Sequence, residues 1–374
     1  MIHLTRVFID LRAFEDNIRF FKSLLSPSCR LCAVVKADAY GHGVQSISCA
    51  AFRAGADVLA IVDNWEAEAV RAHHPTCPVI RLRPTTYEEA EEARQWRVEE
   101  CVGSLPSAEF LSQLGERRQQ KIPVHLKLDV GIGRMGFSYP LQREMIRRAC
   151  ELPGIMIKGV MTHFPCADEE SERITLEQQE RFESQIQAIS EWLPPSIVYH
   201  AANSAACLRF PPSWKSMVRV GIASYGMTPS EHVALPPRIQ PVMSWQTTVV
   251  QVRDVPKGAG IGYGMTYILD RERRIATLPI GYADGYLRDF SNNADVLIRG
   301  IRCPVIGRIS MDMTTVDVTH LPSIAIGDKV TLLGAQGNDT IFAEELARRA
   351  NTINYEISCL IGKCNRNRLV ITDG

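Results

Sequence analysis

A lysine closes the apolar run Ala33-Val34-Val35-Lys36, and a glycine-bracketed turn, Ala37-Asp38-Ala39-Tyr40-Gly41-His42-Gly43, follows at once. A lone lysine at a strand end is ordinarily a solvated cap. In a closed parallel barrel, however, the carboxyl ends of the strands hold the active site. Partial desolvation there lowers a lysine's pKa and makes it a Schiff-base nucleophile. Other chemically capable residues recur at equivalent places. Arg134 follows the run 124–128, His163 follows 155–161, and His200, Asn203 and Ser204 follow 197–199, while Arg219 and Gly221 end the run 217–220. Asn203-Ser204 and Gly221-Ile222 offer a hydroxyl and backbone N–H groups, the donors a phosphate dianion needs. Both pairs lie in loops where such barrels commonly bind phosphate.

These residues meet only if the chain folds as eight parallel strands. Phe14, Ile18, Phe21 and Leu25 recur at helical spacing and predict a helix with one apolar face. Short apolar runs at 31–35, 58–62, 79–82, 99–102, 124–128, 155–161, 197–199 and 217–220 then alternate with helical stretches. That alternation predicts an α/β fold, a (β/α)8 TIM-like barrel over residues 10–237. After Pro236-Pro237 the pattern turns to β-branched, alternating runs at 242–255, 275–280, 296–298 and 329–333, punctuated by turns such as Ala283-Asp284-Gly285. This predicts a mainly antiparallel β domain over 238–374. The strand-like Val7-Phe8-Ile9 suits either unit, and residues 1–9 are expected to add a strand.

Composition narrows the function. The 374 residues are 45% hydrophobic and 22% charged, with 42 basic and 42 acidic side chains, so no global field attracts nucleic acid or an anionic membrane. No apolar run approaches the ~20 residues of a membrane-spanning helix, and the first residues lack a signal-peptide pattern. The 11 cysteines are scattered without a C-x-x-C pair, which points to a reducing cytoplasm with no disulfide framework and no metal site.

The motifs together carry a resemblance. VVKADAYGHG, KLDVGIGRMG, GVMTHF, HAANSAA, VRVGIASYG, GIGYGMTY, PIGYADGY, GRISMDM and NYEI resemble, in order, the motifs of alanine racemases, whose pyridoxal 5'-phosphate (PLP) sits on the lysine of the first. The resemblance implies interconversion of L-alanine and D-alanine, supply of D-alanine for peptidoglycan, and a homodimer whose active sites are shared between subunits. Lys36 would hold PLP and exchange protons on one face of the substrate; Tyr263, from the partner subunit, would serve the other. Racemisation requires two such groups, because one group acting on one face regenerates the starting enantiomer; a positioned base is worth roughly 10²–10⁴ in rate. A tyrosine is a poor base near its free pKa of ~10, so cations are expected close by. Arg219 would face the pyridine nitrogen and leave it unprotonated, with His163 orienting it. Tyr40, Asn203, Ser204, Gly221, Ile222 and Tyr355 would bind the cofactor. Arg134, Met311 of the partner subunit, Tyr282 and Lys127 would serve the substrate, Lys127 matching a lysine that some members carbamylate to position the arginine.

The chain departs from the family pattern at Val130, Ile132 and Ser310, which bears on the carboxylate pocket and substrate breadth. Two other patterns carry less. Gly131-Ile132-Gly133-Arg134-Met135-Gly136 matches G-x-G-x-x-G, but Glu151 falls ahead of the next strand and is badly placed for a ribose. His73-His74 reads as a polar helix end. The competing readings are a serine or broad-specificity racemase of the same fold and a non-catalytic PLP carrier. The carrier reading predicts a chain ending near residue 235, without Tyr263 or Met311.

Overall fold

A computed structural model describes residues 3–138, 140, 142–365 and 369–372. The chain divides into two compact units, one of Phe14–Ala39 with Val44–Gln240, the other of Met1–Ala13 with Tyr40–Gly43 and Pro241–Gly374.

The first unit is the barrel expected from the alternation. Its eight parallel strands are Arg30–Val34, Val58–Ile61, Val79–Arg81, Val98–Val102, Ile122–Asp129, Ile155–Met161, Val198–His200 and Met217–Val220. The last strand pairs in parallel with the first. Between the seventh and eighth the ladder thins to single bonds, Ser216 N–H to the Tyr199 carbonyl at 3.0 Å and Arg219 N–H to that of Ala202 at 2.9 Å, leaving the barrel nearly closed. The strands are apolar because both of their faces are buried, as throughout Val58–Ile61. Helices cover the outside. The first, Leu11–Leu24, buries Phe14, Ile18 and Phe21 completely, while Leu25 lies one residue past its end. Arg81, fully buried, ties strand to helix layer through Glu100 at 2.8 Å and Glu89 at 3.0 Å.

The second unit is mainly antiparallel. Its larger sheet runs Ile301–Pro304, Asp295–Ile298, Lys329–Gln336, Met243–Thr248, Arg6–Asp10, Leu369–Thr372. Arg6–Asp10 pairs antiparallel with Met243–Thr248, which places the Val7-Phe8-Ile9 strand in this unit. The single run anticipated over 242–255 breaks in two. Met243–Thr248 stays in the larger sheet, and Gln251–Val255 joins a three-stranded sheet with Arg273–Leu278 and Thr314–Asp317. The break falls where Val249 N–H bonds to the Asp328 carbonyl and Val250 N–H to that of Thr277, handing the backbone from one sheet to the other. Two helices, Ala343–Arg349 and Asn354–Cys364, precede the last strand. Among the described residues no helix is long and apolar enough to cross a membrane.

Candidate active site

Lys36 leaves the first barrel strand at its carboxyl end, just after Val35 N–H bonds to the Ala60 carbonyl at 2.8 Å. The backbone then turns left-handed. Ala37, Asp38, Ala39 and Tyr40 all have φ of 54–55° and Gly41 has 82°. For L-residues this costs roughly 1–2 kcal/mol each, so tertiary contacts must impose it. Glu66, buried, accepts the N–H groups of Asp38, Val62 and Asp63, and Asp38 Oδ1 accepts Val44 N–H at 2.8 Å. Gly41 is required twice over, by its positive φ and because a Cβ there would stand 2.3 Å from the Ser358 carbonyl oxygen.

Arg219 lies at the barrel centre, 3% exposed. Its Nη1 donates to His200 Nδ1 and to the His200 carbonyl, each at 3.0 Å. Its Nη2 reaches the carbonyls of Thr162 at 2.8 Å and Ala201 at 3.0 Å, with His163 Nδ1 more distant at 3.4 Å. Orientation therefore comes from His200 and three backbone carbonyls at the shorter distances, with the longer contact to His163 joining them. The reason is chain geometry: His200 ends the neighbouring strand, beside Arg219 on the next. Among the described residues the Arg219 Nε–H has no acceptor, and burial lowers the guanidinium pKa to about 10. Burial also pushes the pKa values of His200 and His163 well below the usual histidine range, with Arg219 next in effect, so both are neutral and able to accept from the arginine.

Lys127 lies on the inward face of the fifth strand, wholly buried, and its Nζ has no hydrogen-bond partner. Desolvation and then repulsion from Arg219 outweigh the help from Cys101 and Asp129, with a smaller repulsion from Arg134, and lower its pKa to about 7. The same strand ends at Asp129, whose carboxylate accepts the N–H groups of Gly131, Ile132 and Gly133 at 2.9 to 3.3 Å. This gathers the G-x-G-x-x-G segment into a tight loop that presents Arg134 at the rim. The glycines serve that turn.

Asn203 caps the helix Ser204–Arg209, its Oδ1 accepting Ala206 N–H at 2.9 Å while its Nδ2 donates to the Phe164 carbonyl at 3.2 Å. Both ends of the amide are thus engaged by the fold. Ser204 Oγ accepts the N–H groups of Gly221 at 2.9 Å and Ala223 at 3.4 Å, locking the two loops together. Ile222 opens the short helical turn Ile222–Tyr225, so its N–H has no acceptor inside the turn.

In the second unit Tyr40 is buried and its ring lies tilted against that of Tyr355, centroids 6.0 Å apart. Tyr263 sits between Gly262 (φ 72°) and Gly264 (φ 71°) on the tip joining Gly260–Ile261 to Tyr267–Ile268, with 71% of its surface exposed. Tyr282 and Met311 lie on paired loops, Tyr282 N–H bonding to the Ser310 carbonyl and Ala283 N–H to that of Met311.

The two ends of the barrel site are suited to one cofactor: a buried arginine with a spare N–H, and a hydroxyl beside the Ile222 N–H that opens its turn. With a lysine on the same rim, the fold and site define a PLP-dependent barrel enzyme. The family described as alanine racemase, N-terminal domain, matches residues 9–229, and alanine racemase, C-terminal domain, matches 242–369. The chain is 39% identical over 355 residues to an alanine racemase of Syntrophobacter fumaroxidans, covering 95% of this chain and 94% of that one. It is 40% identical over 357 residues to one of Symbiobacterium thermophilum, covering 95% and 94%. Among solved structures, alanine racemase from Bacillus anthracis with bound L-Ala-P superposes with a TM-score of 0.90 at 34% identity, covering 96% of this chain and 93% of that one. The Bartonella henselae enzyme with covalently bound pyridoxal phosphate superposes at 0.90 and 27% identity, covering 99% and 100%. The chain belongs to the alanine racemase family, and its activity is the PLP-dependent racemisation of alanine.

Proposed function

We propose that Lys36 and Tyr263 are the two proton-exchanging groups, on opposite faces of the alanine α-carbon. The observation that carries this reading is the shared rim: Lys36 leaves the first barrel strand at the end where Arg219, in the last, keeps an N–H free. When bound there, PLP supplies a ring that accepts the electron pair left by the departing α-proton. Lys36 then holds the cofactor and moves the proton on one face. Arg219 would face the cofactor's ring nitrogen and, being a donor only, would leave that nitrogen unprotonated. The Ser204 hydroxyl and the Ile222 N–H would hold the phosphate, with Gly221 and Asn203 fixing their turns, and Tyr40 and Tyr355 would serve the cofactor as the family resemblance implies. His163 lines the cofactor ring's surroundings.

Arg134 would bind the substrate carboxylate with the backbone of Met311 of the partner subunit, and Tyr282 would serve the substrate. Lys127, a buried amine without a partner and about half unprotonated at neutral pH, is suited to take up CO2 as a carbamate and so place an anion beside Arg134. Tyr263 is solvent-exposed on a glycine-framed tip, as a residue delivered to another copy must be, so the working unit is a homodimer in which Tyr263 of the partner subunit completes each site. The enzyme acts in the cytoplasm and supplies D-alanine for peptidoglycan.

Exchange of the α-hydrogen of each enantiomer in D2O tests the assignment. Tyr263→Phe is expected to abolish proton removal from L-alanine while sparing the first exchange from D-alanine, and Lys36→Ala to lose both. Equal loss from both enantiomers in Tyr263→Phe would falsify the opposite-face pairing.

A further inference from the structure

Behind Arg219 a hydrogen-bonded string crosses the barrel interior. Arg219 Nη1 meets His200 Nδ1 at 3.0 Å, His200 Nε2 meets His125 Nδ1 at 2.9 Å, and His125 Nε2 meets Glu99 Oε2 at 2.7 Å. Both rings are buried, stacked edge to face with centroids 4.9 Å apart. Space for the string is built in. A Cβ at Gly159 would lie 2.2 Å from His125 Nδ1, so that position on the sixth strand accepts only glycine while the ring stays where it is.

The protons in this string are fixed by its two ends. Arginine can only donate, so His200 Nδ1 must carry a lone pair; His200, neutral through burial, then carries its proton on Nε2. That proton is donated to His125 Nδ1, which must likewise be bare. His125 is therefore also neutral, with its proton on Nε2 facing Glu99, whose carboxylate can accept. A doubly protonated His125 would set two donors against each other at His200. Every bond thus points from Arg219 toward Glu99, and such an aligned chain strengthens each member. The carboxylate side chain, 21% exposed, borders a cavity of about 320 Å³ at the amino ends of the strands, also lined by Pro78, Ile122 and Lys158.

We propose that Glu99, acting through His125 and His200, is a positioning residue for Arg219. It holds His200 as an acceptor, which sets the plane of the guanidinium and aims its free N–H. The arrangement parallels a carboxylate behind a metal-bound histidine, which fixes the tautomer and raises ligand basicity. The catalytic consequence rests on the reading that Arg219 faces the cofactor ring; the tautomer pattern does not.

The test uses holoenzyme with 15N-labelled histidine, comparing wild type with Glu99→Gln, Glu99→Leu and Gly159→Ala. In wild type both rings are expected as the Nε2–H tautomer; a proton on Nδ1 of His200, or a doubly protonated His125, overturns the proposal without any variant. Glu99→Gln, which keeps an acceptor oxygen, retains both tautomers. Glu99→Leu and Gly159→Ala give mixed tautomers, shift the absorption band of the bound cofactor, and lower kcat about tenfold, the worth of one charge-assisted hydrogen bond, with KM for alanine within about twofold. Unchanged tautomers and unchanged kcat in Glu99→Leu overturn the relay. Arg219→Lys separates the two ideas: if its cofactor band does not move, Arg219 does not face the ring, whereas the histidine signals still report the string.

Discussion

Replacing Lys127 with methionine makes the apoprotein more stable at neutral pH, an unusual outcome for loss of an interior residue with a candidate functional role. The ammonium form is penalised in the fold, its pKa falling from 10.5 to about 7. At about 1.36 kcal/mol per pKa unit this is on the order of 5 kcal/mol. The sign follows from linkage. The unfolded chain binds the proton more tightly, so this group destabilises the fold fully below pH 7, progressively less as pH rises, and not at all above the unfolded pKa. Methionine has similar length and no proton to bind, so the variant gains about 4 kcal/mol at pH 7 and less than about 1 kcal/mol by pH 10. Urea unfolding of the apoprotein in CO2-free buffer across this range measures both numbers. Dissolved CO2 then stabilises the wild type by mass action and leaves the methionine variant unmoved. A stability difference independent of pH, or a less stable variant, would show that the amine is not charged at a cost and would remove the physical basis for carbamate formation.

Two further outcomes follow from the geometry. Asn203→Ala removes the cap of the helix Ser204–Arg209 and lowers stability by about 1 kcal/mol, and by loosening the Ser204 turn it weakens cofactor retention, measured by PLP release on dialysis. The thiols of Cys32, Cys101 and Cys207, pushed up to about 12 by burial, stay unmodified by alkylating reagents at pH 8 in the native protein; mass spectrometry showing early modification of any of them would contradict the burial.

The barrel was legible because each of its strands is a short apolar run and each intervening helix a periodic one. Lys36, Ser204 and Arg219 were legible because strand ends of a parallel barrel converge. Three things were not. The break at Val249 leaves no mark, since both halves of the run alternate alike and only the partner strands differ. His125 shares the inward face of its strand with Lys127 at a spacing of two, a signal available in Val-His-Leu-Lys-Leu but readable only once the barrel interior is known to be polar. The left-handed turn after Lys36 was hidden because Ala37 and Ala39 favour the right-handed helix; the opposing contacts come from Glu66 and from the Val44 N–H, distant or unremarkable in sequence.

That turn also bears on the order of events in assembly. Its backbone is the mirror image of what its residues adopt in isolation, at an intrinsic cost of roughly 4–8 kcal/mol over Ala37 to Tyr40. A free chain therefore does not visit it, and it forms only after Glu66 and Asp38 can make their contacts. The direction in which Lys36 leaves its strand is accordingly a property of the finished barrel and not of the local sequence.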